Sequence, residues 1–423
     1  MRNKQTVLKV IFLGLASLSL FVSSAQANRR ISLADNLLIE DKDDVYQYPQ
    51  RMLDYRNAVS LDMGGSGNSG RVLFLGGWDD LALGFSAEQT APYSALSGPL
   101  PADLMTYEST AFYAGSGINP FPITSVSEAF LAVAPFTLID AFLAVPTGAG
   151  SFGLRLGFGT RGLSGTVNDV DSGFGENLIT LEAGLSGGNE ARFDTSLNLA
   201  LNLGSGENGT VYNMINPAFS YSFEDVSSTL IRVSLSGRGY IPYSDNIDVG
   251  LLGNLVVASS SITPDPVGAA TELSMNTLAL GVMGGAGPVF HVTDLTEVAA
   301  YGVIGLSYVS AEPNDEVDDD GFSDVVIYIP GVRVAADIGL TEWFFVRTGV
   351  QYSFQFASTS YENDDSSNRG DGSLGWTAGL GVEHNGFTLD GALYQGWITA
   401  GPDFIGGDPI ALFGVVSAGY NWL

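Results

Sequence analysis

The sequence predicts an all-β chain: a closed antiparallel transmembrane β-barrel of about 14–16 strands, preceded by a short acidic segment. Three observations predict it. Long extended stretches carry apolar side chains on one face and polar ones on the other. Long and short connections alternate over the C-terminal half. Aromatic residues gather near the ends of the extended stretches.

Composition sets the frame. Of 423 residues, 45% are hydrophobic and only 15% charged, where ordinary soluble domains carry about a quarter charged. Beyond the first thirty residues no apolar run reaches the roughly 20 residues that a spanning helix needs. A polar-poor chain with 54 glycines still crosses a membrane if it does so in strands.

The first element is an export signal. Arg2, Lys4 and Lys9 give a positive start, Val10 to Val22 an apolar run, and Ala25-Gln26-Ala27 a small-residue cleavage site. Cleavage is expected after Ala27; an uncleaved anchor is the alternative. No cysteine occurs in the chain, so disulfides say nothing about compartment and export rests on the signal. Cleavage removes three of 17 basic residues and no acid, leaving 14 basic against 46 acidic residues, with Lys42 as the one lysine. That balance excludes nucleic acid as a partner, because phosphate must be neutralised by Lys and Arg. It suits divalent cations, or a salty medium that screens self-repulsion.

Residues 28–56 form the acidic N-terminal segment, irregular in pattern, with Glu40, Asp41, Asp43 and Asp44 clustered. The barrel is expected over 57–423. Alternation is clearest in four stretches. Phe193, Leu197, Leu199, Leu201 and Leu203 oppose Arg192, Asp194, Ser196, Asn198 and Asn202. Ile231, Val233 and Leu235 oppose Arg232, Ser234, Ser236 and Arg238. Phe344, Val346, Val350, Tyr352, Phe354 and Phe356 oppose Arg347, Gln351, Ser353 and Gln355. Phe387, Leu389, Leu393 and Trp397 oppose Thr388, Asp390 and Tyr394. Successive side chains of a strand point to opposite faces, so each stretch has one oily and one polar side. A soluble sandwich alternates too. These stretches, however, outrun the soluble average of about 5–6 residues and match the roughly 9–11 needed to cross a bilayer.

Residues 258–272, 311–323, 359–372 and 400–407 read as longer connections, and 291–296, 339–342 and 385–386 as short turns. Upstream of 258 the alternation fails: turns near 224–228 and 240–246 leave one strand between two turns on the same side. Trp343, Phe344, Phe387, Trp397, Tyr420 and Trp422 are the expected interfacial aromatics.

The chain closes on Tyr420-Asn421-Trp422-Leu423, after Leu412, Val416 and Ala418. This resembles the last strand of Gram-negative outer-membrane barrels, which normally ends on the aromatic; here Leu423 follows it. Asp43-Asp44-Val45, Tyr48-Pro49-Gln50 and Leu81-Ala82-Leu83-Gly84-Phe85 are similar to the opening of barrels of the FadL and PorV type, with Tyr-Pro-Gln in place of Asn-Pro-Ala. The resemblance covers about fifty residues. It implies a barrel of about 14 strands whose N-terminal segment enters the lumen, in the outer membrane, with lipid and lipopolysaccharide as partners.

Strand charges collect on the polar faces: Arg155, Arg161, Arg192, Arg232, Arg238, Arg333 and Arg347, with Glu182, Asp194, Asp337, Glu383 and Asp390. Facing lipid at mid-bilayer would cost about 2–4 kcal/mol for each arginine, so these side chains are expected to line the lumen. They read either as a charged constriction that sorts small solutes or as cross-strand ion pairs that fill space.

Residues 89–128 are a candidate in-folded loop or plug, because Pro92, Pro99, Pro101, Pro120 and Pro122 exclude regular central strands. Ala129 to Ala134 and Phe136 to Val145 are apolar on both faces. They suit either part of that plug or one or two strands with an apolar lumen patch. The loop 312–324 carries Asp315, Glu316, Asp318, Asp319, Asp320 and Asp324. It is not an EF-hand, since the glutamate position falls on Ile327. It reads as a solvated acidic loop, or as a loose divalent-cation site bridging lipopolysaccharide.

No catalytic, cofactor or metal residues are expected. His291 and His384 sit in no nucleophile motif, and no His cluster has metal spacing. The leading expectation is a porin-like channel for passive passage of small solutes. Uptake of hydrophobic molecules, as the FadL resemblance implies, and a non-transport structural or docking barrel are the alternatives.

Overall fold

In a computed structural model the chain is a closed barrel of sixteen antiparallel strands, each paired with its sequence neighbours and the last closing on the first. The structure describes residues 28–34, 36–64, 70–90, 136–167, 170–188, 191–212, 220–266, 275–313, 322–361, 367–393 and 413–422. The strands are β1 (Ala58–Gly64), β2 (Gly70–Trp78), β3 (Leu81–Thr90), β4 (Phe136–Thr147), β5 (Gly150–Val167), β6 (Val170–Gly187), β7 (Arg192–Tyr212) and β8 (Ser220–Ser244). Then come β9 (Ile247–Pro266), β10 (Met275–Thr293), β11 (Thr296–Pro313), β12 (Phe322–Thr341), β13 (Phe344–Tyr361), β14 (Ser367–His384), β15 (Phe387–Leu393) and β16 (Phe413–Asn421). Closure runs from Ala58 opposite Asn421 to Gly64 opposite Val415.

The predicted alternation is the wall. Leu197, Leu199, Ile231, Val233, Leu235 and Phe356 face outward and are exposed, while Asp194, Ser196, Asn202, Arg232, Ser234, Ser236 and Arg238 face inward and are buried. Leu199 and Val233 therefore do not bury each other as a two-sheet sandwich would require. A water-soluble monomer does not expose a continuous apolar belt of this kind. Acyl chains remove it from water, and closing the sheet on itself satisfies backbone groups that hydrocarbon cannot. This is the architecture of an outer-membrane β-barrel.

Short turns lie at 79–80, 148–149, 188–191, 245–246, 294–295, 342–343 and 385–386, all at one end of the barrel. There Asn385 (φ 51°) and Gly386 (φ 79°) form an Asn-Gly hairpin turn, the left-handed pair whose twist matches the flanking strands. The expected turn near 224–228 does not exist. Residues 220–244 are one strand, with Val226 opposite Pro264 and Ser228 opposite Ile262. The polar run is the outer part of a 25-residue strand, longer than the bilayer is thick, so its tip needs no apolar face. Three of the longer connections shrink for the same reason, to 267–274, 314–321 and 362–366, while the expected 400–407 lies within the stretch 394–412 between β15 and β16.

Phe136–Thr147 is wall, not plug. Leu138, Asp140, Phe142 and Ala144 are buried on its inner face, and Ile139 is exposed on its outer face. In the expected plug 89–128, Gln89 and Thr90 end β3; the rest lies outside the described residues. So do the export signal and positions 314–321 of the acidic loop.

The N-terminal segment occupies the lumen. A helical turn (Asn28–Ser32) and two 3-10 turns (Lys42–Tyr46 and Pro49–Leu53) wind past almost every strand near the short-turn end. Leu33, Leu37, Leu38 and Ile39 pack on Tyr240, Leu252, Met283, Tyr301 and Val303. Val45, Tyr46 and Met52 pack on Leu73, Leu75, Phe142 and Ala144. Glycines make room: a methyl group at Gly153 would overlap the Gln50 backbone, and one at Gly349 would overlap Leu33 and Ala34.

Candidate functional site

The site is the layer where this plug meets the wall. Its chemistry begins in strand register. Arg71 stands directly opposite Asp62, Arg155 opposite Glu182, Arg238 opposite Asp194 and Arg347 opposite Asp337. Inward-facing neighbours across an antiparallel ladder lie close enough to pair, and all four couples do. Arg71 donates to Asp62 at 2.7 and 3.0 Å. Arg238 donates to Asp194 at 2.8 Å. Arg347 donates to Asp337 at 3.2 Å and also to Asp390 on β15. Arg155 reaches Glu182 at 3.5 Å and donates to Asp140 on β4 at 2.9 Å.

The plug then docks onto these arginines. Asp43 accepts from Arg71 at 2.7 Å, and Asp44 takes Arg238 at 2.7 Å. Arg155 donates to the Tyr46 carbonyl at 2.8 Å, and Arg333 to the Ala34 carbonyl at 3.1 Å. In return, Arg29 of the plug donates to Asp337 at 3.0 Å. The guanidinium of Arg71 lies 4.5 Å over the Tyr46 ring, and that of Arg238 lies 4.8 Å over the Tyr48 ring. Such cation–π contacts strengthen as water leaves.

Local sequence shapes the docking turn. Asp41 caps Lys42–Tyr46, accepting from the Asp43 N–H at 3.2 Å, and Asp44 accepts from the Asp41 N–H at 3.1 Å. This reciprocal capping box fixes the Asp43 and Asp44 carboxylates in adjacent positions, aimed at different wall arginines. Burial pushes the Asp43 carboxyl up to about 6, against the pull of Arg71. Burial also works against the charges of Glu40 and Asp41, yet arginines hold both below the usual carboxylate range: Arg51, Arg238 and Arg192 for the first, and chiefly Arg29 for the second.

Of the residues expected at the lumen, Arg155, Arg238, Arg347, Glu182, Asp194, Asp337 and Asp390 stand in these clusters. Arg333 is buried against the plug. Arg232 is buried on the inner face of β8, between Ala200 and Ala258 in register. Arg192 is half exposed at the short-turn rim, 3.3 Å from Glu40. Glu383 is exposed at the same rim, opposite Thr388. Arg161 stands opposite Glu176 in register; its side chain lies outside the described residues. Among the aromatics, Trp343, Phe387 and Tyr420 are exposed. Phe344 is half-buried beside Trp343, at a ring distance of 5.9 Å. Trp422 lies 5.6 Å from Phe74, and Trp397 is outside the described residues. All of the described aromatics sit at the short-turn end.

Sequence reading missed Asp62, Arg71 and Asp140 on the wall and Arg29, Arg51 and Tyr46 in the plug. The signal for Asp62 and Arg71 was present in the alternation of β1 and β2. Asp140 was hidden in a run that reads as apolar on both faces.

The plug does not fill the cross-section. Between it and β1, β2 and β12–β16 lies a cavity of about 290 Å³. Arg29, Asp41, Lys42 and Tyr55 line it from the plug, and Ser60, Leu73, Asp337, Phe345, Arg347, Glu383, Thr388 and Asp390 from the wall. Among the described residues no three His, Cys, Asp or Glu side chains are grouped to hold a metal ion.

No protein-family model and no curated protein matches the sequence. Among solved structures the chain is similar to the alcaligin outer-membrane receptor FauA from Bordetella pertussis (8% identity over 87% of this chain and 76% of that one, TM-score 0.40). It is also similar to the ferric yersiniabactin uptake receptor FyuA from Yersinia pestis (8% identity, 80% and 67% covered, TM-score 0.37). A third is the outer-membrane OmpT of Vibrio cholerae (12% identity, 86% and 95% covered, TM-score 0.33). At these low values the barrel assignment rests on strand pairing itself.

Proposed function

We propose that this protein is an outer-membrane channel for small polar solutes, narrowed near its short-turn end by its own N-terminal segment. One observation carries the reading: plug and wall leave between them a charge-lined cavity, with both signs contributed by both surfaces. Sixteen strands enclose a lumen wide enough for an aqueous path. Apposed arginines and carboxylates across a narrow gap sort solutes by size and charge.

Planar-bilayer recording tests it. The full chain is expected to give small, steady conductance steps. A chain lacking residues 28–53 is expected to give steps several-fold larger. Insertion without conductance by either form refutes the channel. Inner-face apolar clusters, Leu138 with Leu178 and Ala200 and Val326 with Tyr328 and Ala357, favour the second reading, uptake of hydrophobic molecules. That reading expects co-purifying lipid and no steady conductance.

A further inference from the structure

Every cation on the cavity lining already faces carboxylates. Arg347 is held by Asp337 and Asp390, and Arg29 by Asp337 and Asp41. Lys42 is drawn to Asp41 and Asp43, whose carboxyls it pulls toward their charged forms. Glu383 has no such counterpart. It lines the cavity from the end of β14, it is exposed, and among the described residues it takes part in no ion pair. The lining as a whole sets three cations (Arg29, Lys42 and Arg347) against four carboxylates (Asp41, Asp337, Glu383 and Asp390).

The rim around that opening has the same bias. Glu383 stands two residues before Asn385, at the last short turn. Asp79, Asp80, Asp245, Asp294 and Glu342 occupy four of the other short turns, and all are exposed. Of the arginines at that end, Arg192 is paired with Glu40 at 3.3 Å, and Arg56 lies against the Asp79 carbonyl, next to two of these acids.

We infer that the passage is selective for small cations and that Glu383 is the residue that sets the sign. This inference rests on reading the cavity as the solute path, and it names the solute class. Carboxylates gathered at a mouth raise the local concentration of cations and lower that of anions. The paired groups inside contribute little to the sign, because the field of each cation is cancelled at short range by the carboxylates beside it. An uncancelled charge at a narrow gap acts strongly, since a passing ion comes close to it and little water screens the two. An anion is therefore repelled first at the rim and again at Glu383, while a cation is drawn through both.

The test uses the full chain in planar bilayers under a potassium chloride gradient, with the reversal potential read as the permeability ratio of potassium to chloride. At about 0.1 M salt the full chain is expected to pass potassium at least about fivefold more readily than chloride. E383Q is expected to lower that ratio at least about twofold and E383K to bring it below one, with heat-modifiable migration of both variants unchanged. D245N removes a rim charge outside the cavity. It is expected to lower the ratio at about 0.1 M and to lose its effect at about 1 M, where the screening length is about 3 Å. E383Q is expected to keep its effect there, because an ion inside the gap passes within that distance of the side chain. A conducting chain with a ratio near one, or with a preference for chloride, overturns the inference and leaves the channel standing. So does E383Q with the ratio of the full chain, or with the salt dependence of D245N. A chain that inserts and never conducts overturns the channel and this inference together.

Discussion

Replacing Arg238 by methionine tests whether ion pairs hold the plug in the lumen. The guanidinium is buried between Asp194 of the wall and Asp44 of the plug, at 2.8 and 2.7 Å. Methionine preserves bulk and removes the charge, leaving two buried carboxylates facing each other. Breaking a buried pair from one side costs about 3–5 kcal/mol. The lower end applies, because Arg51 remains 3.6 Å from Asp194 and Arg30 3.6 Å from Asp44. About 3 kcal/mol is a factor of roughly 150 in the population of undocked plug. The natural absence of cysteine supplies the assay. Val45 is fully buried between plug and wall, so V45C reacts with a water-soluble maleimide only when the plug leaves. R238M in that background is expected to speed labelling about 150-fold, with heat-modifiable migration of the barrel retained. Adding D44N and D194N removes the repulsion and should restore most of the protection, since a neutral buried cluster costs little relative to an intact ionic one. Labelling accelerated less than tenfold, with the barrel intact, would refute the claim that these charges hold the plug.

Three further outcomes follow from the same geometry. G153A, which drives a methyl group into the Gln50 backbone, is expected to weaken docking by about 1–3 kcal/mol, read as faster V45C labelling. Acid should tighten the plug. The docked pKa of Asp43, about 6, lies above its free value of 3.8, so the docked form takes up a proton as pH falls from 7 to 5. Labelling normalised to a free thiol should then slow roughly tenfold, and D43N should abolish this dependence. On the outer face, L199R is expected to destabilise the barrel by about 2–4 kcal/mol if Leu199 meets mid-bilayer lipid, lowering the temperature at which gel migration shifts.

Much of the wall was legible because alternation and turn chemistry are local. Once a turn near 342 is placed, Asp337 and Arg347 fall five residues to either side, and their pairing follows. Arg238 and Asp194 could not be paired that way. Their hairpin closes through residues 213–219, and the polar stretch at 224–228 imitates a turn where the strand only leaves the membrane. The plug was illegible as structure. Residues 28–53 have no period because each side chain answers to a different part of a surrounding wall, and acidic residues such as Asp43 and Asp44 read as solvated until the arginines opposite them are located. The FadL-type resemblance placed this segment in the lumen, where it is found. Proline content also pointed to 89–128, which beyond Thr90 lies outside the described residues.

The plug is joined to the wall by four residues, Asp54–Asn57, and their far end is anchored. Asn57 holds a left-handed backbone (φ 64°), accepts from the Gly77 N–H through its side chain and receives the Trp422 N–H on its carbonyl. Arg56 donates to the Asp79 carbonyl of the first short turn. A cork on so short a leash swings no farther than about 14 Å. Its local concentration at the mouth stays in the millimolar range or above. Ejection is therefore self-reversing: whatever force displaces the plug must keep acting for the barrel to stay open, and the lumen recloses when that force is withdrawn.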